Sequence, residues 1–484
     1  MNAIDTTGKH LVEPQTLKGF QDLLPEQMIA RNLVVEKIRN VYEKYGFVPL
    51  DTPILEQLST LLGTGGEDTN KKLFRLESPE RRAIAMRFDL TVGFARLLAQ
   101  YPEQLKLPFR RYQIGPVFRA DDPASGRFRQ FVQFDIDAAG SESLAVDAEI
   151  VAAMAEAMRA LGLGSGEFKI CFNNRKLVDA MLIGCSITDG EVQKHVMRVI
   201  DKLAKVGTED VRKELGEGRI DESGDKIKGV GLPSETIEKA LAFISVKGTS
   251  RSSTLDALAR LLPESEVTKN VVREMSEFNE ALASLGVQEA EAVFDPSLMR
   301  GLDYYTGPVF EAHLTAAPQF GSVMGGGRYD NLVDRFKDEG IPATGASIGL
   351  DRMMSALSHI GKIPSAATTT KVLVLSFRGT PTGELLKAAG ELRTEGIATE
   401  IFFGDSKTGF KDQLSVANAR QIRLAVILGE DELKAGSVSI KDLRAGMEAR
   451  SGIQDREEFR KAGKKGQVTV PRSDFVKTVK AMLL

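Results

Sequence analysis

Five arginines stand where short apolar stretches end: Arg119 in GPVFRAD, Arg127 and Arg129 in GRFRQF, Arg300 in RGLDYY and Arg352 in GLDRM. Arginine stays charged when partly buried, and its planar fork of donors matches phosphate and carboxylate oxygens. Singly, each reads as an ordinary ion pair at a sheet end. Their company changes the reading. A glycine-rich turn, GGGRYD (Gly325 to Asp330), has neither the Gly-Lys-Ser/Thr of a P-loop nor the GxGxxG of a dinucleotide fold. Its glycines suit either close approach of backbone to a flat ligand or a tight hairpin. The acids are Asp89 in RFDLT and Asp135 and Asp137 in QFDID. Strand alternation puts Gln133, Asp135 and Asp137 on one face, which either grips a small cationic molecule or forms a solvated polar stripe. RGLDYYTGPVFEAH adds Arg300, Asp303, Tyr304 and Tyr305 at the mouth of an otherwise apolar strand.

The elements that must position these residues alternate between strand and helix. EQMIARNLVVEKIRNVYEKY reads as a helix, with Pro25 before it and Gly46 after it. GFVPLDTPILE follows as an edge or bulged strand marked by Pro49 and Pro53. LFRLE reads as a strand, and RRAIAMRFDLTVGFARLLAQ as a strand turning into a helix. RRYQIGPVFRADDPASGRFRQFVQFDIDAAG reads as two strands joined by a polar loop, Ala120 to Gly126. The pattern to this point predicts an antiparallel sheet with flanking helices. After EFKICFNN a long, charge-rich, mostly helical stretch interrupts it, and the sheet resumes with the segments around Arg300, Gly325 and Arg352. Beyond a polar linker, GKIPSAATTT, the short apolar runs KVLVLSF, ATEIFF and RLAVILG alternate with helices in a βαβ rhythm.

Bulk properties narrow the classes. At 484 residues the chain exceeds one core, and roughly two to four domains are expected. The 42% hydrophobic and 27% charged composition is that of a soluble globular protein. No stretch approaches a membrane span and the first residues have no apolar signal core. Two cysteines cannot build a disulfide framework, which fits a reducing cytoplasm. Four scattered histidines argue against a histidine-based metal site, so no metal ligand is assigned. The net charge of −3 hides an asymmetry. Residues 371–484 carry 20 Lys and Arg against 15 Asp and Glu, a balance of +5 on an otherwise acidic body. That hints at a polyanionic partner.

These residues resemble the class II aminoacyl-tRNA synthetases, and specifically the histidyl-tRNA synthetase family. FRADDPASGRFRQFVQFDIDAAG is similar to the second motif of the class, GASIGLDRM to the third, and KYGFVPLDTPILE to the first, whose helix and strand sit at a dimer interface. RGLDYYTGPVFE and GGGRYDNLV are similar to two signatures peculiar to the histidyl enzymes. The resemblance implies an α+β fold. Its antiparallel catalytic domain (1–170 and 293–362) carries a mostly helical insertion (171–292), followed by an α/β anticodon-binding domain (371–484). It implies a ligase that activates L-histidine with ATP and Mg²⁺ and transfers it to the 3′ end of tRNA(His), as a cytoplasmic homodimer without membrane or DNA partners.

Residue by residue, the resemblance assigns catalysis to Arg300 and Arg119, at the amino acid carboxylate and the α-phosphate. Arg127 and Arg352 fall on the terminal phosphates of ATP. Asp89, Thr91 and Gln133 fall on the α-amino group and Asp137 on the imidazole. Tyr305 and Tyr329 wall the ring pocket, with Tyr304 among the histidine-contacting residues. Many bacterial members read RPEGT in place of RFDLT and glutamate in place of Asp137, and their second-motif loop is more basic than ADDPASG. A regulatory paralogue, the synthetase-like subunit of ATP phosphoribosyltransferase, is the alternative. It typically lacks the C-terminal domain and the catalytic arginine, both of which this chain has.

Overall fold

A computed structural model describes residues 12–63, 66–221, 224–299, 305–338, 340–363, 367–404, 408–448 and 466–484. It divides into one unit of residues 1–22 and 34–363 and a second of residues 23–33 and 364–484.

The first unit is organised by an eight-stranded sheet. Its strands are β1 (Val48–Pro49), β2 (Phe109–Phe118), β3 (Gln130–Ala139), β4 (Phe168–Asn174), β5 (Ala292–Phe294), β6 (Pro308–Leu314), β7 (Ser322–Arg328) and β8 (Ala343–Gly349), in the spatial order β1-β2-β3-β8-β7-β6-β4-β5. The inner pairings are antiparallel, as the alternation predicts. Both edges depart from that expectation, because β1 runs parallel to β2 and β5 parallel to β4. Pro49 sits in an edge strand, where its missing N–H costs no ladder bond.

Period-two alternation gives the sheet two unlike faces. Tyr112, Phe134, Ile136 and Ile348 point into the main core. Against them pack Ile38, Val41 and Tyr42 of helix α1 (Pro25–Lys44), with the Tyr42 and Phe134 rings edge-to-face at 5.1 Å. The alanine-rich helix α3 (Leu144–Ala160), capped by Ser143, is buried along most of its length. The opposite face of β2, β3 and β8 carries Arg111, Gln113, Gln133, Asp135, Asp137 and Ser347, joined cross-strand as Arg111–Asp137–Gly345 and Gln113–Asp135–Ser347. Beside it lie a small sheet (Leu55–Gln57, Arg75–Glu77, Ala83–Met86) and helix α2 (Thr91–Gln100).

The charge-rich middle is helical from Arg175 to Ser284, with one hairpin at Gly218–Ile220 and Lys226–Lys228. An insertion boundary at residue 171 therefore falls inside β4, whose apolar run belongs to the sheet.

The run Gly325–Gly327 is not a turn but the interior of β7. A Cβ on Gly326 would lie 2.0 Å from the Gly345 carbonyl oxygen, and one on Gly327 would lie 2.9 Å from the Tyr305 ring. Close approach, not chain reversal, selects glycine here. The next residue, Arg328, is buried and pairs with the buried Asp147 of α3, tying helix to sheet.

The second unit has its own core around Val372, Leu385, Leu424, Ile440 and Phe475. Strands β9 (Val372–Val374), β10 (Thr399–Ile401) and β11 (Leu424–Ile427) are parallel. They are extended antiparallel by β12 (Ser437–Asp442) and β13 (Gln467–Pro471), so that of the two sheets a βαβ rhythm allows, mixed or parallel, this one is mixed.

Candidate active site

A cavity of about 710 Å³ opens on the polar face of the large sheet. Three of the arginines line it, each held differently. Arg119, at the end of β2, donates from Nε to the Phe88 carbonyl at 3.1 Å, and its guanidinium lies 4.2 Å from the Phe88 ring centroid and 5.1 Å from that of Phe131. Stacking fixes the plane of the fork while leaving its charge in place. Arg127, in the loop between β2 and β3, pairs at 2.9 Å with Asp121, which also takes Lys72 at 3.0 Å. Burial pushes Asp121 up, but hydrogen bonds from Lys72 and Arg127 outweigh it and hold the carboxyl below its usual range. Arg352, in helix α5 (Leu350–His359), donates to the Ser322 carbonyl at 2.9 Å. Arg129 is absent from the lining; it donates to the Asp121 carbonyl at 3.1 Å and packs over Gly19.

The same cavity is lined by Asp89, Thr91, Gln133 and Tyr305. Asp89 accepts from the Val92 amide at 3.0 Å where α2 begins. Burial raises its pKa, against the pull of the Val92 and Thr91 amides and of Arg119 and Arg111. Gln133 donates to the Ser347 hydroxyl at 2.7 Å. Asp137 and Tyr329, by contrast, do not line the cavity. Both are buried, and the Tyr329 hydroxyl donates to Asp137 Oδ1. Asp137 Oδ2 lies 2.6 Å from the fully buried Arg111, which also donates to Gln113 at 3.0 Å. Asp137 is raised by burial, opposed chiefly by Arg111, and its neighbour Asp135 is pushed up to about 7 by burial, with Arg111 again opposing. Arg300 and Tyr304 fall outside the described residues.

Several lining residues escape a reading of sequence. Lys194, Arg198 and Asp201 come from helix α4 (Gly190–Ile200) and the residue after it, in the helical middle segment. In sequence they look like the solvated face of an amphipathic helix. Glu311 of β6 also lines the cavity, 3.3 Å from His313. Arg111 and Gly345 matter through strand register alone, which no local motif signals. Among the described residues no group of three or more His, Cys, Asp or Glu is placed to hold a metal ion.

The arrangement brings fixed cations, carboxylates and amides together around one cavity, which suits a phosphate ester beside a zwitterion. Residues 19–353 match the family model described as histidyl-tRNA synthetase, and residues 371–482 the one described as anticodon binding domain. The chain belongs to the histidyl-tRNA synthetase family. Among relatives in that family, a histidine–tRNA ligase of Caulobacter vibrioides is 40% identical, with 97% of each chain covered, and one of Bartonella henselae is 40% identical, with 96% of each covered. The crystal structure of histidyl-tRNA synthetase from Nostoc sp. PCC 7120 superposes with a TM-score of 0.79 at 32% identity, over 97% of this chain and all of that one. Membership of the histidyl-tRNA synthetase family brings with it the class II α+β fold seen here, an antiparallel-cored sheet followed by an anticodon-binding domain.

Proposed function

We propose that the protein is a histidine–tRNA ligase that works in two steps in the cavity of its first unit. An oxygen of the histidine carboxylate attacks the α-phosphorus of ATP, the bond to the bridging oxygen breaks, and pyrophosphate leaves. The terminal ribose hydroxyl of tRNA(His) then attacks the carbonyl carbon of histidyl-adenylate, and AMP leaves. The observation that carries this reading is that Arg119, Arg127 and Arg352 share one cavity with Asp89, Thr91 and Gln133.

Adenylation asks little covalent chemistry of the protein, so positioning and charge stabilisation supply the rate. Arg119 and Arg300 neutralise charge on the α-phosphate and the attacking carboxylate, and Arg127 and Arg352 hold the terminal phosphates. Asp89, Thr91 and Gln133 take the α-ammonium group. Tyr304 and Tyr305 flank the substrate, while Asp137 and Tyr329 act on the imidazole as a hydrogen-bonded pair. Glu311, one of the carboxylates that line the cavity, would help to hold a Mg²⁺ ion accompanying ATP, which would supply charge neutralisation to the phosphates.

Residues 371–484 bind the anticodon arm, and the mostly helical stretch from Arg175 to Ser284 forms an insertion within the catalytic domain. The enzyme acts as a homodimer in the cytoplasm. The decisive assay is histidine-dependent ATP–pyrophosphate exchange followed by charging of tRNA(His). No exchange from a folded preparation, at any histidine concentration, would overturn the reading, and a monomer in sedimentation at micromolar concentration would overturn the dimer.

A further inference from the structure

Asp135 is the residue of the polar face whose two carboxyl oxygens both lack a hydrogen-bond partner among the described residues, and it is 2% exposed. Buried polar atoms are almost always satisfied, so each exception calls for an explanation. Its cross-strand neighbours offer little. Gln113 turns its amide to Asp51 at 2.9 Å and Thr52 at 3.0 Å, and only the Ser347 hydroxyl, which accepts from Gln133 and keeps its own O–H to donate, lies near enough to favour the charged acid.

The surrounding charges explain the anomaly. From β2 comes Arg111, fully buried and bonded to Asp137 on the same face of β3. Asp89, half-buried just before α2, adds a third acid, on which the Arg119 charge also acts. Arg87 is nearby, but its fork is committed to the Thr52 carbonyl at 2.7 Å and the Pro116 carbonyl at 2.8 Å, with Asp51 at 3.6 Å. The Tyr42 phenol of α1, also buried, feels Asp135 and stays protonated. Two adjacent carboxylates therefore share one guanidinium, and a third acid stands by. Like charges at such range do not all ionise in a low-dielectric site. A cationic ligand changes that balance, and the α-ammonium group of histidine, held at Asp89 and Gln133, is such a cation.

We propose that Asp135 is a proton-holding positioning residue of the histidine pocket: the free enzyme keeps one proton on the Asp135–Asp137 pair over Arg111, and binding of the histidine ammonium group drives that proton into solvent. Asp135 thus acts through Asp137, leaving it ionised once substrate is bound. Its raised pKa, about 7, puts the exchange in the neutral range. The proposal rests on the reading that histidine binds in this cavity.

The test is calorimetric titration of the full-length protein with histidine at pH 7, in two buffers of different ionisation enthalpy, for wild type and Asp135→Asn. Wild type should release more protons than the variant, by about half a proton per site, because a group with a pKa near 7 is half protonated at that pH; proton changes of histidine itself are common to both and cancel. Binding with equal proton release in the two proteins overturns the proposal and leaves the histidine site standing. No binding to wild type overturns both. A second measurement needs no variant. Unliganded wild type at pH 6 should show the infrared carbonyl band of a protonated carboxyl that disappears with histidine, and its absence also overturns the proposal.

Discussion

Gly345 stands directly across the sheet from Asp137, and a Cβ added there would lie 2.1 Å from Asp137 Oδ1 and 2.5 Å from the Ile136 carbonyl oxygen. The carboxylate occupies the space a side chain would need. Gly345→Ala should therefore push Asp137 off Arg111 and Tyr329 and strain the β3–β8 ladder, costing about 1–3 kcal/mol of stability. In the enzyme that still folds, the histidine KM should rise far more than the ATP KM. Asp137→Ala should show the same split without the strain, because a buried site built for hydrogen bonding discriminates through its unpaired groups. Steady-state exchange kinetics with each substrate varied in turn decide it: a rise confined to the ATP KM would remove Asp137 from the histidine pocket.

Stability should depend on Asp135 in a direction fixed by linkage. Its folded pKa, about 7, lies above the ordinary 3.8. Between those values the folded state binds the extra proton, so the stability this group contributes is full below about pH 4 and lost as pH rises through 7. Asp135→Asn escapes that loss. Its melting temperature should match wild type near pH 4 and exceed it by a margin that grows up to about pH 7, at most roughly 4 kcal/mol in stability. A difference that is constant between pH 5 and pH 8 contradicts a buried titrating acid.

The alternation in VQFDID is legible in sequence, and it correctly puts Gln133, Asp135 and Asp137 on one face of β3. Whether that face is solvated or buried is not legible. Burial is decided by Arg111, Ser347 and Gly345, which reach β3 only through register with strands that local patterning does not pair. The glycine run shows the same limit: its freedom suggests a turn, while the Gly345 carbonyl and the Tyr305 ring that exclude a side chain come from other parts of the chain. Lys194 and Arg198 were invisible as lining residues because a helix face towards a polar cavity has the composition of one towards water.

Removing residues from Lys371 onward should separate the two half-reactions. The second unit has its own core, and its sequence carries the +5 charge balance. Pyrophosphate exchange should survive the deletion, while charging of tRNA(His) falls and loses the steep salt dependence that phosphate contacts impose. Equal loss of both activities would mean that this unit supports the catalytic fold instead of holding RNA.

Arg300 lies outside the described residues, and its role is the sharpest remaining claim. Two outcomes are distinguishable. If its guanidinium only closes an ion pair with Asp303 or another nearby acid, Arg300→Ala should lower the melting temperature and leave turnover of the folded enzyme near normal. If it neutralises charge that grows on the α-phosphate and the attacking carboxylate, folding should survive and adenylation should collapse. Removing one such donor costs roughly a hundred- to a thousand-fold in kcat. Histidine affinity should fall less, because Asp89 and Gln133 remain at the ammonium group and Asp137 at the ring. The variant would then bind histidine and hardly activate it. A melting curve, a histidine titration and pyrophosphate exchange on one preparation separate the cases. A well-folded Arg300→Ala protein that keeps more than about a tenth of the exchange rate rules out transition-state stabilisation by this residue, since a loss that small is worth only about 1.4 kcal/mol.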